Sequence, residues 1–290
     1  MEVAAPTTQP EQQIDEALYR IEQLLQEGKT KEARDTTVAW LKTHHGSPIY
    51  DRALFLEAQA LYQYGDRIKA FYYLDQLLDQ YPESPLFYQA MEKQYQIADG
   101  YLNGYKRRFM GMPMFGASDE AIEMLFRVQQ RAPRSPVAEK SLLRTADYYY
   151  ASAQYDLAAD AYRSYVESYP RSPAVPRVKL RRAYASLAQF RGLRFDATPV
   201  SDAKLQLQEI VALYPDLAAE ENLTSVIERI DHTFARKLAV TADFYRRTNE
   251  PRAAAYTYEV LRKAYPDTPE AGAAPAMTVE TAPATNPANP

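Results

Sequence analysis

The sequence predicts an all-α protein, a right-handed α-solenoid of about six helix pairs, and three observations carry that prediction. Glycine is scarce, at 9 of 290 residues, whereas a sheet protein of this length needs many more turn glycines. A proline-centred mark recurs along the chain. The distance from mark to mark is that of a repeated helix–turn–helix unit.

The marks come first. Tyr81-Pro82-Glu83-Ser84-Pro85, Ala132-Pro133-Arg134-Ser135-Pro136, Tyr169-Pro170-Arg171-Ser172-Pro173 and Tyr265-Pro266-Asp267-Thr268-Pro269 share one pattern. Tyr214-Pro215-Asp216 is a shortened copy and His45-Gly46-Ser47-Pro48 a degenerate one. Proline cannot continue a helix, and it pushes the preceding residue out of the α region. A Ser, Thr or Asp just after it caps the next helix. Each mark therefore ends one helix and starts another.

Pro48 to Pro85 and Pro133 to Pro170 are each 37 residues, and Pro170 to Pro215 is 45. Pro82 to Pro133 and Pro215 to Pro266 are each 51. The short value fits a 34-residue unit with a slightly long connection; the longer ones need insertions. Within the units, small residues are expected where two helices touch and large ones in the groove to the next pair. Leu54, Ala58, Leu61, Ala70, Leu74 and Leu77 satisfy this before Pro82. Leu142, Ala146, Tyr149, Ala158, Tyr162 and Tyr165 do so before Pro170, and Leu238, Ala242, Tyr245, Ala254, Tyr258 and Leu261 before Pro266. Alanine at two fixed places permits close helix approach, and the i, i+3, i+4 apolar spacing supplies each buried face. This is the tetratricopeptide pattern. The first unit is weaker, with Ala33 in place and Ile21 where alanine is expected.

Two segments break the period. Residues 100–118 hold Gly100, Gly104, Gly111 and Gly116, a basic run Lys106-Arg107-Arg108, and Met112-Pro113-Met114-Phe115. Residues 191–200 form the second. Both join the helices of one pair, and both are expected as surface loops. Residues 1–11, rich in Pro, Thr and Gln, read as a disordered linker, 12–270 as the solenoid, and 271–290 as a disordered tail.

Composition excludes several function classes. A net charge of −4 gives no long-range pull toward nucleic acid or anionic lipid. The absence of cysteine removes disulfides, thiolate metal sites and cysteine nucleophiles. No run of about 18 apolar residues is present to span a membrane. Met1-Glu2-Val3-Ala4-Ala5-Pro6 carries neither the basic nor the apolar region of a signal peptide. The histidines are His44 and His45, adjacent at an expected helix end, and His232. None has partners at metal-ligand spacing, and His232 and Asp231 point to different helix faces. No phosphate loop or nucleophile elbow occurs. The expectation is a non-enzymatic protein with no cofactor and no metal.

Binding chemistry remains. In tetratricopeptide repeats the first helix of each pair lines the concave face. The buried positions place Arg52, Phe55, Gln59 and Tyr62 there in one unit, and Gln89, Glu92, Gln96 and Asp99 in the next. Lys140, Leu143, Asp147 and Tyr150 follow, then Arg236, Ala239, Asp243 and Arg246. Aromatic, amide and mixed-charge groups suit an extended or helical polypeptide. Gln59, Gln96, Asp147 and Asp243 do not fit the asparagine–lysine clamp for a terminal carboxylate. Most of the clustered tyrosines, Tyr72-Tyr73 and Tyr148-Tyr149-Tyr150 among them, are expected to pack in the grooves between helices. Lys106, Arg107, Arg108, Met112, Met114 and Phe115 are a second partner-binding candidate, a basic run followed by exposed apolar residues.

Over roughly residues 86–270 the series resembles the BamD-like family, tetratricopeptide lipoproteins of bacterial outer-membrane β-barrel assembly. The resemblance rests on three pieces: the unit from Ala138 to Pro173; the interrupted unit with Gln189 and Asp196 before Ser201-Asp202-Ala203-Lys204; and Phe244-Tyr245-Arg246-Arg247 before Tyr265-Pro266-Asp267-Thr268. Three departures stand beside it: an extra helix pair over residues 12–45, no lipid-bearing cysteine, and Ala255-Tyr256-Thr257-Tyr258 where the family carries a basic partner-contact residue. The resemblance implies a periplasmic scaffold at the outer membrane, its partners a β-barrel assembly subunit or unfolded outer-membrane protein segments. No nucleic acid is expected, and a membrane only through a lipid anchor that this chain does not carry. The alternative is a tetratricopeptide adaptor of the cell envelope, serving cell division or polysaccharide export.

Overall fold

The computed structural model describes residues 10–109, 112–115, 118–192 and 195–276. Two compact units divide the chain, residues 1–148 and 149–290. Each is a stack of consecutive helix pairs, the arrangement of a tetratricopeptide-like solenoid.

The first unit contains α1 (Pro10–Gln26), α2 (Thr30–Thr43), α3 (Tyr50–Tyr64), α4 (Arg67–Gln80), α5 (Phe87–Leu102) and α6 (Ser118–Arg131). The division falls inside α7 (Pro136–Ala151). Each helix from α1 to α6 packs on its neighbour in sequence, and α1 also touches α3. That skip contact is how the first helices of successive pairs line up along one face. Ala33, Ala58 and Ala70 are wholly buried where helices approach, and Leu54, Leu74 and Leu77 fill the spaces between them. Ile21, placed where alanine was expected, is also wholly buried.

The second unit holds α8 (Tyr155–Ser168), α9 (Val175–Ala188), α10 (Thr198–Leu213), α11 (Pro215–Glu220), α12 (Leu223–Arg247), α13 (Pro251–Ala264) and α14 (Pro269–Ala273). Here α8 packs on α9, α9 on α10, α10 on α12 and α12 on α13. Ala158, Tyr162 and Tyr165 are buried, as are Ala242, Ala254, Tyr258 and Leu261. Among the described residues the long helices number twelve, as many as six pairs need, with α11 and α14 as short additions.

The proline marks work as their chemistry dictates. Ser135 Oγ accepts the Ala138 N–H at 3.2 Å and Thr268 Oγ1 the Ala271 N–H at 3.4 Å, both true N-caps. Ser84 and Ser172 accept the N–H two residues on, from Leu86 at 3.1 Å and Ala174 at 3.2 Å, within the turn leading into the helix. The turns inside pairs use a left-handed residue instead: Gly28 (φ 74°) and Gly65 (φ 94°) in the first unit, Ala153 (φ 58°) and Asn249 (φ 61°) in the second.

Several boundaries differ from the sequence expectation, the first being α1, which already begins at Pro10, inside the expected linker. Residues 100–118 are not simply a loop, because β1 (Arg107–Phe109) and β2 (Met112–Phe115) pair as an antiparallel hairpin between α5 and α6. Phe109 faces Met112 and Arg107 faces Phe115 in its register. At the C-terminal end α14 carries helix to Ala273 with Ala271 buried, inside the expected tail. Residues 1–9 and 277–290, the remainder of the expected linker and tail, lie outside the described residues. The second insertion does run without helix or strand from Phe190 until α10 begins, leaving aside residues 193–194, which are not described.

Candidate partner-binding site

The first unit carries a groove of about 750 Å³, built from the inner faces of three helices. Its floor is α3, which contributes Asp51, Arg52, Phe55, Leu56, Gln59, Tyr62 and Gln63. One wall is the C-terminal part of α1, with Glu22, Leu25 and Gln26; the other is the start of α5, with Gln89 and Lys93. The turns before α3 and α5 close the rim with Pro48, Ile49, Pro85 and Leu86. These are the first helices of the first three pairs.

Periodicity explains which α3 residues point inward. Asp51, Phe55, Gln59 and Gln63 recur every four residues and so form one stripe, with Ala58 and Leu61 turned to the core behind it. Arg52 is fixed by Glu22 across the groove, its Nε and Nη2 lying 3.1 and 3.0 Å from Glu22 Oε1. Asp51 Oδ2 accepts the Ser84 hydroxyl at 2.5 Å, which ties α3 to the next mark. At the far end Lys93 sits 4.6 Å from the Tyr62 ring centre and donates to Gln96 Oε1 at 3.3 Å. Arg67 lies 4.1 Å over the Tyr105 ring and 5.3 Å over Tyr62. Burial and the neighbouring Tyr105 push the Tyr62 phenol above its ordinary range.

Of the expected concave-face residues, the groove gathers Arg52, Phe55, Gln59, Tyr62 and Gln89. The others stand apart from it. Gln96 is exposed and Lys140 pairs with Glu92 at 3.4 Å. Asp99 accepts Arg144 Nε at 2.5 Å. Leu143 and Asp147 are half-buried, and exposed Tyr150 meets the Tyr155 ring edge-on at 5.5 Å. In the second unit Arg236 and Arg246 are exposed and Ala239 is half-buried. Asp243 accepts the Tyr258 hydroxyl at 2.7 Å and Arg246 Nη2 at 3.1 Å. That Tyr258 bond, more than Arg246, holds the Asp243 carboxyl below the usual carboxylate range. In the hairpin Lys106 is exposed; Arg107, Arg108, Met112, Met114 and Phe115 are placed by backbone alone, their side chains lying outside the described part. Sequence reasoning missed Gln63 and Lys93, although each is one helical turn beyond an expected residue, Gln59 and Gln89. It also missed Glu22 and Gln26, because the first pair matched the repeat pattern poorly.

The histidines have ordinary surroundings. His44 caps α2, its ring stacked on Trp40 at 4.5 Å and its Nδ1 2.9 Å from the Trp40 carbonyl. His45 Nδ1 lies 3.2 Å from the Tyr50 hydroxyl, and His232 Nδ1 lies 3.3 Å from Glu270. Among the described residues no His, Asp and Glu cluster is arranged to hold a metal ion, and no helix is long and apolar enough to cross a membrane.

Comparison with known proteins adds the lineage. No curated protein matches the chain. Nearly identical TPR-like repeats of a putative kinesin light chain from Podosopora anserina are 17% identical, covering 71% of this chain and 96% of that one at a TM-score of 0.37. PilW, a type IV pilus biogenesis factor, is 14% identical, with 90% and 97% covered and a TM-score of 0.32. The C-terminal part of a TPR repeat-containing protein from Cytophaga hutchinsonii gives 13%, 88%, 97% and 0.36. At these scores the structural likenesses bear no weight. The family comparisons do. A tetratricopeptide repeat profile matches residues 52–84, which are α3, α4 and the mark after them. The YfiO profile, described as an outer membrane lipoprotein, matches residues 115–287, or 173 of the 290 residues. With tetratricopeptide repeats in the first unit and that profile over more than half its length, the chain is a protein-interaction scaffold and belongs to the YfiO outer membrane lipoprotein family.

Proposed function

We propose that this scaffold works on the periplasmic side of the outer membrane, assisting assembly of β-barrel outer-membrane proteins. The observation that carries the reading is the outer membrane lipoprotein profile over residues 115–287. The groove of the first unit supports it by offering a place for a polypeptide, with aromatic and amide groups on its floor. The partners are a barrel assembly subunit or unfolded segments of the barrel proteins. The mechanism is recognition and positioning, with no bond made or broken. In this reading the groove residues Arg52, Phe55, Gln59, Tyr62 and Gln89 hold one partner. Lys140, Asp147, Tyr150, Arg236, Asp243, Arg246 and the hairpin serve further contacts.

Depletion of the protein in its native cell tests this. The expected result is a fall in folded barrel proteins, read by heat-modifiable mobility, together with co-purification of the barrel-forming subunit. Normal barrel-protein levels alongside a defect in constriction or polysaccharide export would overturn the reading in favour of an envelope adaptor.

A further inference from the structure

The groove lining carries hydrogen-bonding capacity that the chain itself does not use. Gln26, Gln59, Gln63 and Gln89 all line it, and none makes a side-chain hydrogen bond to another described residue. Each primary amide offers two donors and an acceptor, the complement of a peptide group. A helical partner has nothing to give them along its main chain, because its N–H and C=O groups are bonded internally. An extended segment leaves both groups free on each edge.

Spacing makes the match specific. Gln59 and Gln63 are one turn apart on α3, a rise of about 6 Å. Groups on one edge of an extended chain recur every two residues, or about 6.6 Å. Two successive main-chain positions on one edge therefore fall opposite the two amides. The ends of the groove add charge. Asp51 has no cation at ion-pair distance among the described residues, its carboxylate accepting only the Ser84 hydroxyl and the Arg52 N–H. Lys93 at the other end has no carboxylate partner among them. From Asp51 to Tyr62, which Lys93 covers, α3 rises about 16 Å, the length of about five extended residues.

We propose that the groove binds an extended polypeptide segment, bonded along its main chain by Gln59 and Gln63, with a basic residue toward Asp51 and an acidic one about five residues away toward Lys93. Phe55 and Tyr62 then flank the bonded edge and contact side chains on the segment's faces, so the sequence between the charges is loosely specified. This rests on the chain's being a polypeptide-binding scaffold and is independent of where in the cell it acts.

The test uses the full chain and a fluorescein-labelled peptide of about seven residues, lysine and glutamate flanking alternating threonine and valine. Binding is read by fluorescence anisotropy. N-methylation of two same-edge amides is expected to weaken binding about tenfold, the worth of two lost hydrogen bonds. Gln59→Met with Gln63→Met weakens the parent peptide by a similar factor, and N-methylation then has little further effect on that variant. Lys93→Glu weakens the glutamate peptide and favours one with lysine at that place. Circular dichroism checks that these surface variants keep their helicity. Equal binding of the N-methylated peptide, tighter binding of a helix-stapled version, or no binding of the parent would each overturn the proposal. A failed depletion experiment would leave it standing, since purified components alone decide it.

Discussion

The second and last helix pairs occupy equivalent places in their repeats and treat the same surface in opposite ways. On α3 the inward stripe is Phe55, Gln59 and Tyr62; on α12 it is Ala239, Asp243 and Arg246. Gln59 keeps its amide free, whereas Asp243 is claimed by Tyr258 and Arg246 from within its own pair. Repeat position settles where a side chain points; its neighbours settle whether it is available. The interiors differ in the same sense. The first unit buries two carboxylates, Glu57 and Asp75, while the buried polar residues described in the second are the hydroxyl-bearing Ser186, Thr257 and Thr268. The first unit thus holds carboxyl groups inside, whereas among the described residues of the second the acidic and basic side chains stay at least partly exposed, as with Lys204 and Asp231.

Asp75 gives the largest test of that contrast. Its carboxylate, 12% exposed, accepts Arg131 at 2.5 Å, Arg127 at 3.1 Å and Gln94 at 3.2 Å, joining α4, α5 and α6. Asp75→Ala leaves Arg131, itself 17% exposed, with Asp79 at 2.7 Å as its remaining carboxylate, and is expected to destabilise by about 3 kcal/mol. Urea denaturation with hydrogen exchange should show loss confined to residues 10–148. Equal loss in α8 to α13 would break the distinction between the units.

Glu57 comes next. It is 1% exposed, with Oε2 unbonded, and burial pushes its carboxyl up to about 8 against the opposing pull of Arg34. Because the folded value lies above the unfolded one, the neutral carboxyl's contribution is full below about pH 4 and lost as pH rises through 8. The loss is expected to be a few kcal/mol across that window. Glu57→Gln should flatten the profile for the first unit, and an unchanged slope would remove Glu57 from it.

Gly100 tests the far end of the groove. An added Cβ would lie 2.1 Å from Tyr105 Cε2 and 2.4 Å from Cδ2, so Gly100→Ala must displace the ring on which Arg67 stacks. A loss of about 2 kcal/mol is expected, measured by thermal melting. A neutral result would mean that Tyr105 swings away freely and does not fix the hairpin's root. The smallest effect belongs to the second unit. Ala153 holds φ 58° where the first unit uses glycine, and Ala153→Gly should raise stability by up to about 1 kcal/mol. Protection gained in α8 and α9 sharpens the comparison; protection lost there contradicts it.

Helix ends were legible because proline and its following Ser or Thr act locally, and the alanines because helix contact tolerates little else. The hairpin was not. Its strands are three and four residues long, and Pro113 within Met112-Pro113-Met114-Phe115 argues against a strand. Asp75 looked like ordinary helix-surface charge, since its arginine partners lie 52 and 56 residues away. Glu57 offered no signal at all, because one residue's shift around a helix separates a solvated carboxylate from a buried one. Five of the sixteen groove residues were readable from the repeat register. Gln63 and Lys93 lay one turn beyond it, and Glu22, Leu25 and Gln26 came from α1, where the register was weakest.

Trp40 has a practical consequence. It is the single tryptophan of the chain, 6% exposed and stacked on His44 at the end of α2. Its emission therefore reports on the first unit alone, while the far-ultraviolet helix signal sums over both. Divergence of the two signals on unfolding would show, without any label, that the halves melt as separate cooperative blocks.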